Sequence, residues 1–546
     1  MVWIHFGFPA MNVLLQALLL LCIARLWLMP LPSSFWVDEM VTAFVVRFGP
    51  THPSLAVAPQ VPASIYYVLP RAAGALFGFS EIAYRLPSVL AMAIALFLIA
   101  RLAARLICPE AAWFAVFACL ALRGINYQAA DARPYALGTC VAAASLLFLV
   151  RWLDSGGWDE ALLFAVFAAL VWRVHLIFWP LYLLFAVYAL LRLVRGDTRA
   201  GWLRAGVVFL LVGLALAPVL RDALPLFREA KAHVIVPPPS ALDLVYSLKI
   251  GLIAVCGAGA WVLSRVFRSA TDRPAASWAS LTLILGWWLC HPLCLFGFSW
   301  LTGDSVFLPR YLSVALPGAA LMATMAAAFF IQSRHWKPAS VVLGAGLLLL
   351  LGDWHHPWPP HSNSDWRAAA RKVNELALGP ETPVIYPSPF IEARPPAWRP
   401  DYPLPGFLYA HLLVYPVQGK AYLFPFQDSP EADHFAASLS TQVLSASRRF
   451  VIFGGDQNVH FWRDWLAVRH ELEGWRHIDL GPFGDVDAVL FERPRNAVRL
   501  ELPATLAPAP GTPAPHGSDR GARDRPGGSG GRRSSPLPSL REGCFG

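Results

Sequence analysis

Long apolar runs separated by short polar intervals fill the first two thirds of the chain, and a more polar stretch follows. A helix that crosses a bilayer needs about 20 apolar residues. Such runs extend from Met11 to Leu31, Leu86 to Ile107, Ala111 to Leu122, Pro134 to Val150, Ala161 to Val174 and Leu176 to Leu191. Others extend from Leu203 to Leu220, Ala241 to Leu263, Trp278 to Leu301, Tyr311 to Ile331 and Ser340 to Leu351. The pattern predicts about eleven spans, with Ala111–Leu122, Ala161–Val174 and Ser340–Leu351 the shortest. Residues 1–10 carry no positive n-region, so the first run reads as a retained span rather than a cleaved signal.

After Leu351 the periodicity changes. Asp365–Leu378 reads as an amphipathic helix capped by Ser364. Val384–Tyr386, Phe450–Phe453 and Ala488–Phe491 read as short buried strands. Alternating helix and strand signals predict an α/β domain over residues 353–500, behind a membrane domain over residues 1–352. Residues 501–546 are rich in Pro, Gly, Ser and Arg, and read as a disordered tail.

Charge sets the orientation. Only 14% of the 546 residues are charged, against about 25% in soluble domains. That deficit excludes an ordinary cytosolic enzyme, a disordered regulator and a nucleic-acid binder. The net charge of +9 comes from short clusters, among them Arg101/Arg105, Arg192/Arg195/Arg199/Arg204 and Arg265/Arg268/Arg273. With the N-terminus in the cytoplasm these all fall on inside loops, as the positive-inside rule requires. An odd span count then places residues 353–500 outside the cytoplasm. Only five of the 44 basic residues are lysines, a bias of GC-rich genomes that points to a bacterial cytoplasmic (inner) membrane. Seven of the eight cysteines lie in or beside apolar segments, so no disulfide framework is implied.

Candidate chemistry concentrates between the spans. The first outside loop, Pro32 to Arg85, opens with Phe35-Trp36-Val37-Asp38-Glu39-Met40. Ionisable groups at a membrane boundary are costly and often functional. A carboxylate there can serve as general base towards a hydroxyl, or simply favour a helix N-terminus. Further along, Tyr66 and Tyr67 lie on an amphipathic stretch, and Glu81 and Arg85 stand four apart, suited to pair on one helix face. Asp131 and Arg133 occupy the next outside loop, and Arg310 with Tyr311 a later one. Arginine at such a place suits a phosphate, or else pairs with a neighbouring acid or snorkels. His175 and His291 read as packing residues. Asp38 and Glu39 with Glu81 or Asp131 could hold a divalent cation, although no spacing demands one. No P-loop or HxxxH is present.

Five stretches, WVDEMVT, SIYYVL, FGFSEIAYRLPS, DARPYAL and PRYLSVALPG, follow in order at these loops. Together they resemble the polytopic glycosyltransferases of GT-C type, in particular the protein-mannosyltransferase-like group (glycosyltransferase family 39) that includes bacterial lipid A aminoarabinose transferases. The resemblance covers Met11 to Ile331 and, more weakly, DWRAAARKV. It implies transfer of a sugar from a polyprenyl-phosphate donor to an acceptor hydroxyl of a glycolipid, polymer or protein, on the outer face and with inversion. Asp38 would be the base, Glu39 would orient the base or a cation, and Arg133, Arg310 and more weakly Arg85 would hold the donor phosphate. Glu81, Asp131, Tyr66, Tyr67 and Tyr311 are further candidates for substrate contact. Where the family often carries His-Pro-Pro, this chain has Gln60-Val61-Pro62. The alternative is a lipid or sugar transporter without transferase chemistry. Such a protein would be expected to show internal repeats and midplane charges, and here no repeat and few such charges are seen.

Overall fold

The computed structural model describes residues 9–58, 63–229, 237–266 and 277–494. Two units divide the chain, Met1–Pro494 and Arg495–Gly546, and every described residue belongs to the first. The expected tail at residues 501–546 and the Gln60-Val61-Pro62 departure lie outside the described residues.

Each apolar run is helical. Helix α1 (Pro9–Ile23) runs on into a π-turn at Ala24–Leu28, and α2 (Val37–Phe48) and α3 (Val68–Phe77) lie within the first loop. Helices α4 (Glu81–Leu106), α5 (Ala112–Leu120), α6 (Arg123–Ala129), α7 (Tyr135–Ser155), α8 (Trp158–Val174) and α9 (Pro180–Arg195) follow. The series continues with α10 (Trp202–Glu229), α11 (Ala241–Ser247), α12 (Ile250–Val266), α13 (Trp278–Thr302), α14 (Leu316–Ala328) and α15 (Trp336–Leu351).

The chain is a multi-pass membrane protein. By length and composition 7 described helical segments can cross a bilayer, or 8 when α11 and α12, bent by 46°, count as one span. The exact count of eleven is therefore not confirmed among the described residues. The three short runs fold as α5, α8 and α15, of 9, 17 and 16 residues.

The C-terminal part is α/β, as the alternating pattern predicts. It contains α16 (Trp366–Asn374), α17 (Ala410–Val414), α18 (Pro430–Leu439) and α19 (Asp456–Ala467). Its strands are β1 (Pro383–Pro387), β2 (Lys420–Phe424), β3 (Arg449–Gly455), β4 (Arg476–Asp479) and β5 (Val486–Glu492). They form one sheet of order β2-β1-β3-β5-β4. β1 runs parallel to β2 and β3, and β5 runs antiparallel to β3 and β4. The predicted amphipathic helix is α16, but its cap is Asp365 rather than Ser364: the Ala368 N–H donates to Asp365 Oδ1 at 3.0 Å.

Two features seat the C-terminal part against the first span and the first loop. The buried guanidinium of Arg25, at the end of the first span, donates to the carbonyls of Gly352, Asp353, His356 and Pro357 at 2.6–2.8 Å. It thereby ties off the exit from α15, where carbonyls have no helical partner. One apolar core also runs from Phe35, Met40 and Phe44 of the loop to Trp366, Phe407, Tyr409 and Phe453 of the sheet unit.

Candidate active site

The site begins where α2 begins. Trp36 is extended, and its N–H donates to Glu39 Oε2 at 3.3 Å, so the third helical residue closes the first turn. Glu39 is fully buried. Its Oε1 accepts from Arg85 Nε at 2.7 Å and from the Ala132 N–H at 2.7 Å, while Oε2 also accepts from Arg85 Nη2. The remaining Arg85 donors go to the carbonyls of Leu31, Ser33 and Ser34 and to Ser33 Oγ, at 2.8–3.1 Å. Glu39 and Arg85 therefore join the end of the first span, α2, α4 and the loop after α6. The Glu81–Arg85 pair expected from four-residue spacing does not form. Glu81 instead pairs with Arg367 and accepts from Tyr415 Oη at 2.8 Å, both in the sheet unit.

One residue earlier on the same helix, Asp38 points elsewhere. Its side chain keeps 23% of its surface exposed, and its Oδ2 lies 3.5 Å from Nε of Arg310, which is 30% exposed. Arg133 Nη1 donates to the Asp38 carbonyl at 3.0 Å. Arg310 stands over the rings of Trp36 and Tyr311, at 6.0 and 5.4 Å from their centroids. Tyr67 shares a hydrogen bond with Arg133, and Tyr66 Oη lies 3.4 Å from Ser88 Oγ. Burial pushes both phenols up, so they stay protonated. Buried donors at Arg133 Nε and Tyr135 Oη meet no acceptor.

Behind this surface lies a second carboxylate. Asp131 is fully buried and accepts from Trp36 Nε1 at 3.0 Å. Burial raises its pKa from 3.8 to about 6, against the Trp36 bond and the charges of Arg133 and Arg85. His361 stacks on Tyr127 at 4.2 Å, and its Nε2 lies 3.6 Å from Asp131 Oδ1, too far for a hydrogen bond. Burial and the Arg85 charge push this imidazole down to about 3, so it is neutral. Glu39, Asp131 and His361 each present a possible ligand atom within 4.8 Å of the others. Yet both Glu39 oxygens are saturated, and the Arg85 cation sits against them. A divalent ion would have to displace those bonds beside a like charge, so this donor set does not fit one.

The structure thus gathers Asp38, Glu39, Arg85, Asp131, Arg133, Arg310, Tyr66, Tyr67 and Tyr311 from distant stretches, and sends Glu81 to the sheet unit. Sequence reasoning missed Tyr135 and His361. Tyr135 had a signal, since it follows Arg133-Pro134 directly. His361, inside a Trp-, Pro- and His-rich stretch, had none.

Residues 62–220 match the family model described as dolichyl-phosphate-mannose-protein mannosyltransferase. No curated protein sequence matches the chain. Among solved structures, ArnT from Cupriavidus metallidurans in the apo state aligns with a TM-score of 0.53 at 13% identity, over 88% of this chain and 97% of that one. The same protein bound to undecaprenyl phosphate aligns with a TM-score of 0.49 at 13% identity, over the same shares. The apo likeness extends through both the membrane helices and the sheet unit, and it is a likeness of fold.

Proposed function

From the premise that this chain has a GT-C fold and is protein-mannosyltransferase-like over residues 62–220, we propose that it is a membrane glycosyltransferase. It transfers a sugar from a polyprenyl phosphate to an acceptor hydroxyl on the outer face of a bacterial cytoplasmic membrane. The sugar is a hexose or a pentose, and the acceptor hydroxyl belongs to a glycolipid, polymer or protein.

One observation carries this reading. Asp38 is a partly exposed carboxylate flanked by Arg310 and Arg133, at the ends of apolar helices. A lipid-linked phosphate must lie at that level, because its tail occupies the bilayer. Asp38 takes the proton of the acceptor hydroxyl as that oxygen bonds to the anomeric carbon. The bond from the anomeric carbon to the phosphate oxygen breaks on the opposite face, which inverts the centre. The electron pair leaves with the lipid phosphate, whose growing charge Arg133 and Arg310 balance. Arg85 has no free donor for a phosphate, so with Glu39 it positions α2 and Asp38. In this state Arg310 leans towards Asp38; a bound phosphate competes for it and leaves the carboxylate free to act as base.

The test is turnover in proteoliposomes supplied with glycosylated polyprenyl phosphates, read as released polyprenyl phosphate. Asp38→Asn is expected to lower kcat by about 10²–10⁴-fold with donor binding kept. A variant that turns over as wild type would sink the assignment. Retained lipid movement across the bilayer without turnover in any protein would favour a transporter.

A further inference from the structure

Two donors left without acceptors beside Asp38 point to one kind of missing partner. Arg133 Nε and Tyr135 Oη are buried and unpartnered, and an arginine N–H can only donate. Buried polar groups in native proteins are nearly always paired, so the partner is an acceptor, and beside two guanidinium groups it is an anion. A third side chain borders the same space. His175, in the extended turn between α8 and the next span, stacks on Tyr135 with ring centroids 5.7 Å apart and lies 5.6 Å from Tyr311. Its Nδ1 accepts the Ile177 N–H at 3.2 Å. Burial, then the charges of Arg133 and Arg310, pushes the imidazole down to about 3. The ring is therefore neutral, and with Nδ1 used as an acceptor its proton sits on Nε2. Ser64 Oγ donates to the Val174 carbonyl at 2.6 Å, which fixes this turn against the first loop.

We propose that Tyr135 Oη and His175 Nε2 are two further donors of the polyprenyl-phosphate site, so that the phosphate is held by two cations and two neutral hydrogen-bond donors. The proposal rests on the transferase reading and adds two residues to it. A neutral donor suits a departing phosphate: it stabilises the growing negative charge without the strong ion pairing that would hold the spent carrier in place.

The imidazole's two nitrogens can be tested apart. Asparagine at position 175 can mimic Nδ1 and keep the acceptor for Ile177, but loses the Nε2 donor. Glutamine reaches as far as Nε2 and restores a donor there, but loses the turn contact. Farnesyl phosphate is titrated into the purified full chain in detergent, with farnesol as the uncharged control. Tyr135→Phe and His175→Asn are each expected to weaken farnesyl phosphate binding about tenfold. His175→Gln should bind more tightly than His175→Asn, and farnesol affinity should stay level throughout. The proposal is overturned if His175→Asn binds within twofold of wild type, if glutamine is the worse of the two, or if farnesol binding falls in step. Should wild type fail to bind farnesyl phosphate, or Arg133→Ala bind it as wild type does, the transferase reading falls and takes this proposal with it.

Discussion

Two adjacent carboxylates on one helix offer a direct test, because the proposed function gives them opposite duties. Glu39 is buried against Arg85 and accepts four hydrogen bonds. Glu39→Gln keeps the shape but removes the charge, and turns an amide NH₂ towards an arginine that can only donate. The Arg85 cation is then buried without a counter-charge. Removing one partner of such a pair costs about 3–5 kcal/mol. Asp38 differs: its ion pair is 3.5 Å long and both partners are partly exposed. Loss of that pair costs about 1 kcal/mol or less. Thermal unfolding of the purified protein in detergent should therefore show Glu39→Gln melting well below wild type and Asp38→Asn close to it. Turnover should reverse the contrast. Asp38→Asn loses about 10²–10⁴-fold in kcat, whereas the Glu39→Gln protein that remains folded keeps its base. A stable Glu39→Gln protein beside an unstable Asp38→Asn one would refute this division of labour.

Three further outcomes follow from the same geometry. Asp131 carries a raised pKa, so it holds more proton in the folded state, and its ionisation opposes the fold increasingly as pH rises from about 4 to about 6. Asp131→Asn should thus stabilise the protein above pH 6, by up to about 3 kcal/mol, and be neutral near pH 4, as melts at the two pH values would show. Arg25→Met strands the four carbonyls at the exit of α15, and should speed proteolysis within residues 352–361 while leaving the sheet unit intact. Gly318→Ala would place a Cβ 2.5 Å from the Trp288 backbone nitrogen and wedge α14 away from α13. A loss of about 1–3 kcal/mol is expected, together with weaker farnesyl phosphate binding, since Arg310 and Tyr311 lead into α14.

The helices were legible because burial in a membrane writes itself as unbroken apolar runs. All eleven runs are helical, and 7 or 8 of the described helical segments are long and apolar enough to cross. Strands β1, β3 and β5 were legible for the same reason, being buried on nearly every residue. β2 and β4 are the sheet edges: β4 is exposed along its whole length and carries no apolar signature, and β2 is buried only at Leu423 and Phe424. The acidic pair was legible as chemistry, but its partners were not. The four-residue rule put Glu81 with Arg85, whereas Arg85 pairs with Glu39, 46 positions away. Local spacing describes neighbours on one helix face, and it is silent about which buried charge a folded chain brings up from elsewhere.

That long-range pairing explains how the proposed base, Asp38, can be held at a membrane surface. A lone carboxylate at the first turn of a short helix such as α2 would be poorly placed, because the helix is only 12 residues long. Glu39 removes that freedom. Through Arg85 it locks the helix to α4 and to the turn after the first span, and through the Ala132 N–H to the loop that carries Arg133. The charges of this anchor cancel, so it adds no net charge to the site. Glu81 does the matching work on the other side of the loop, where Arg367 and Tyr415 hold it to the sheet unit. Asp38 is left as the carboxylate of this loop that is partly exposed and has only a loose partner. Positioning and chemistry are thus divided between adjacent residues, and a substitution that spares one should expose the other.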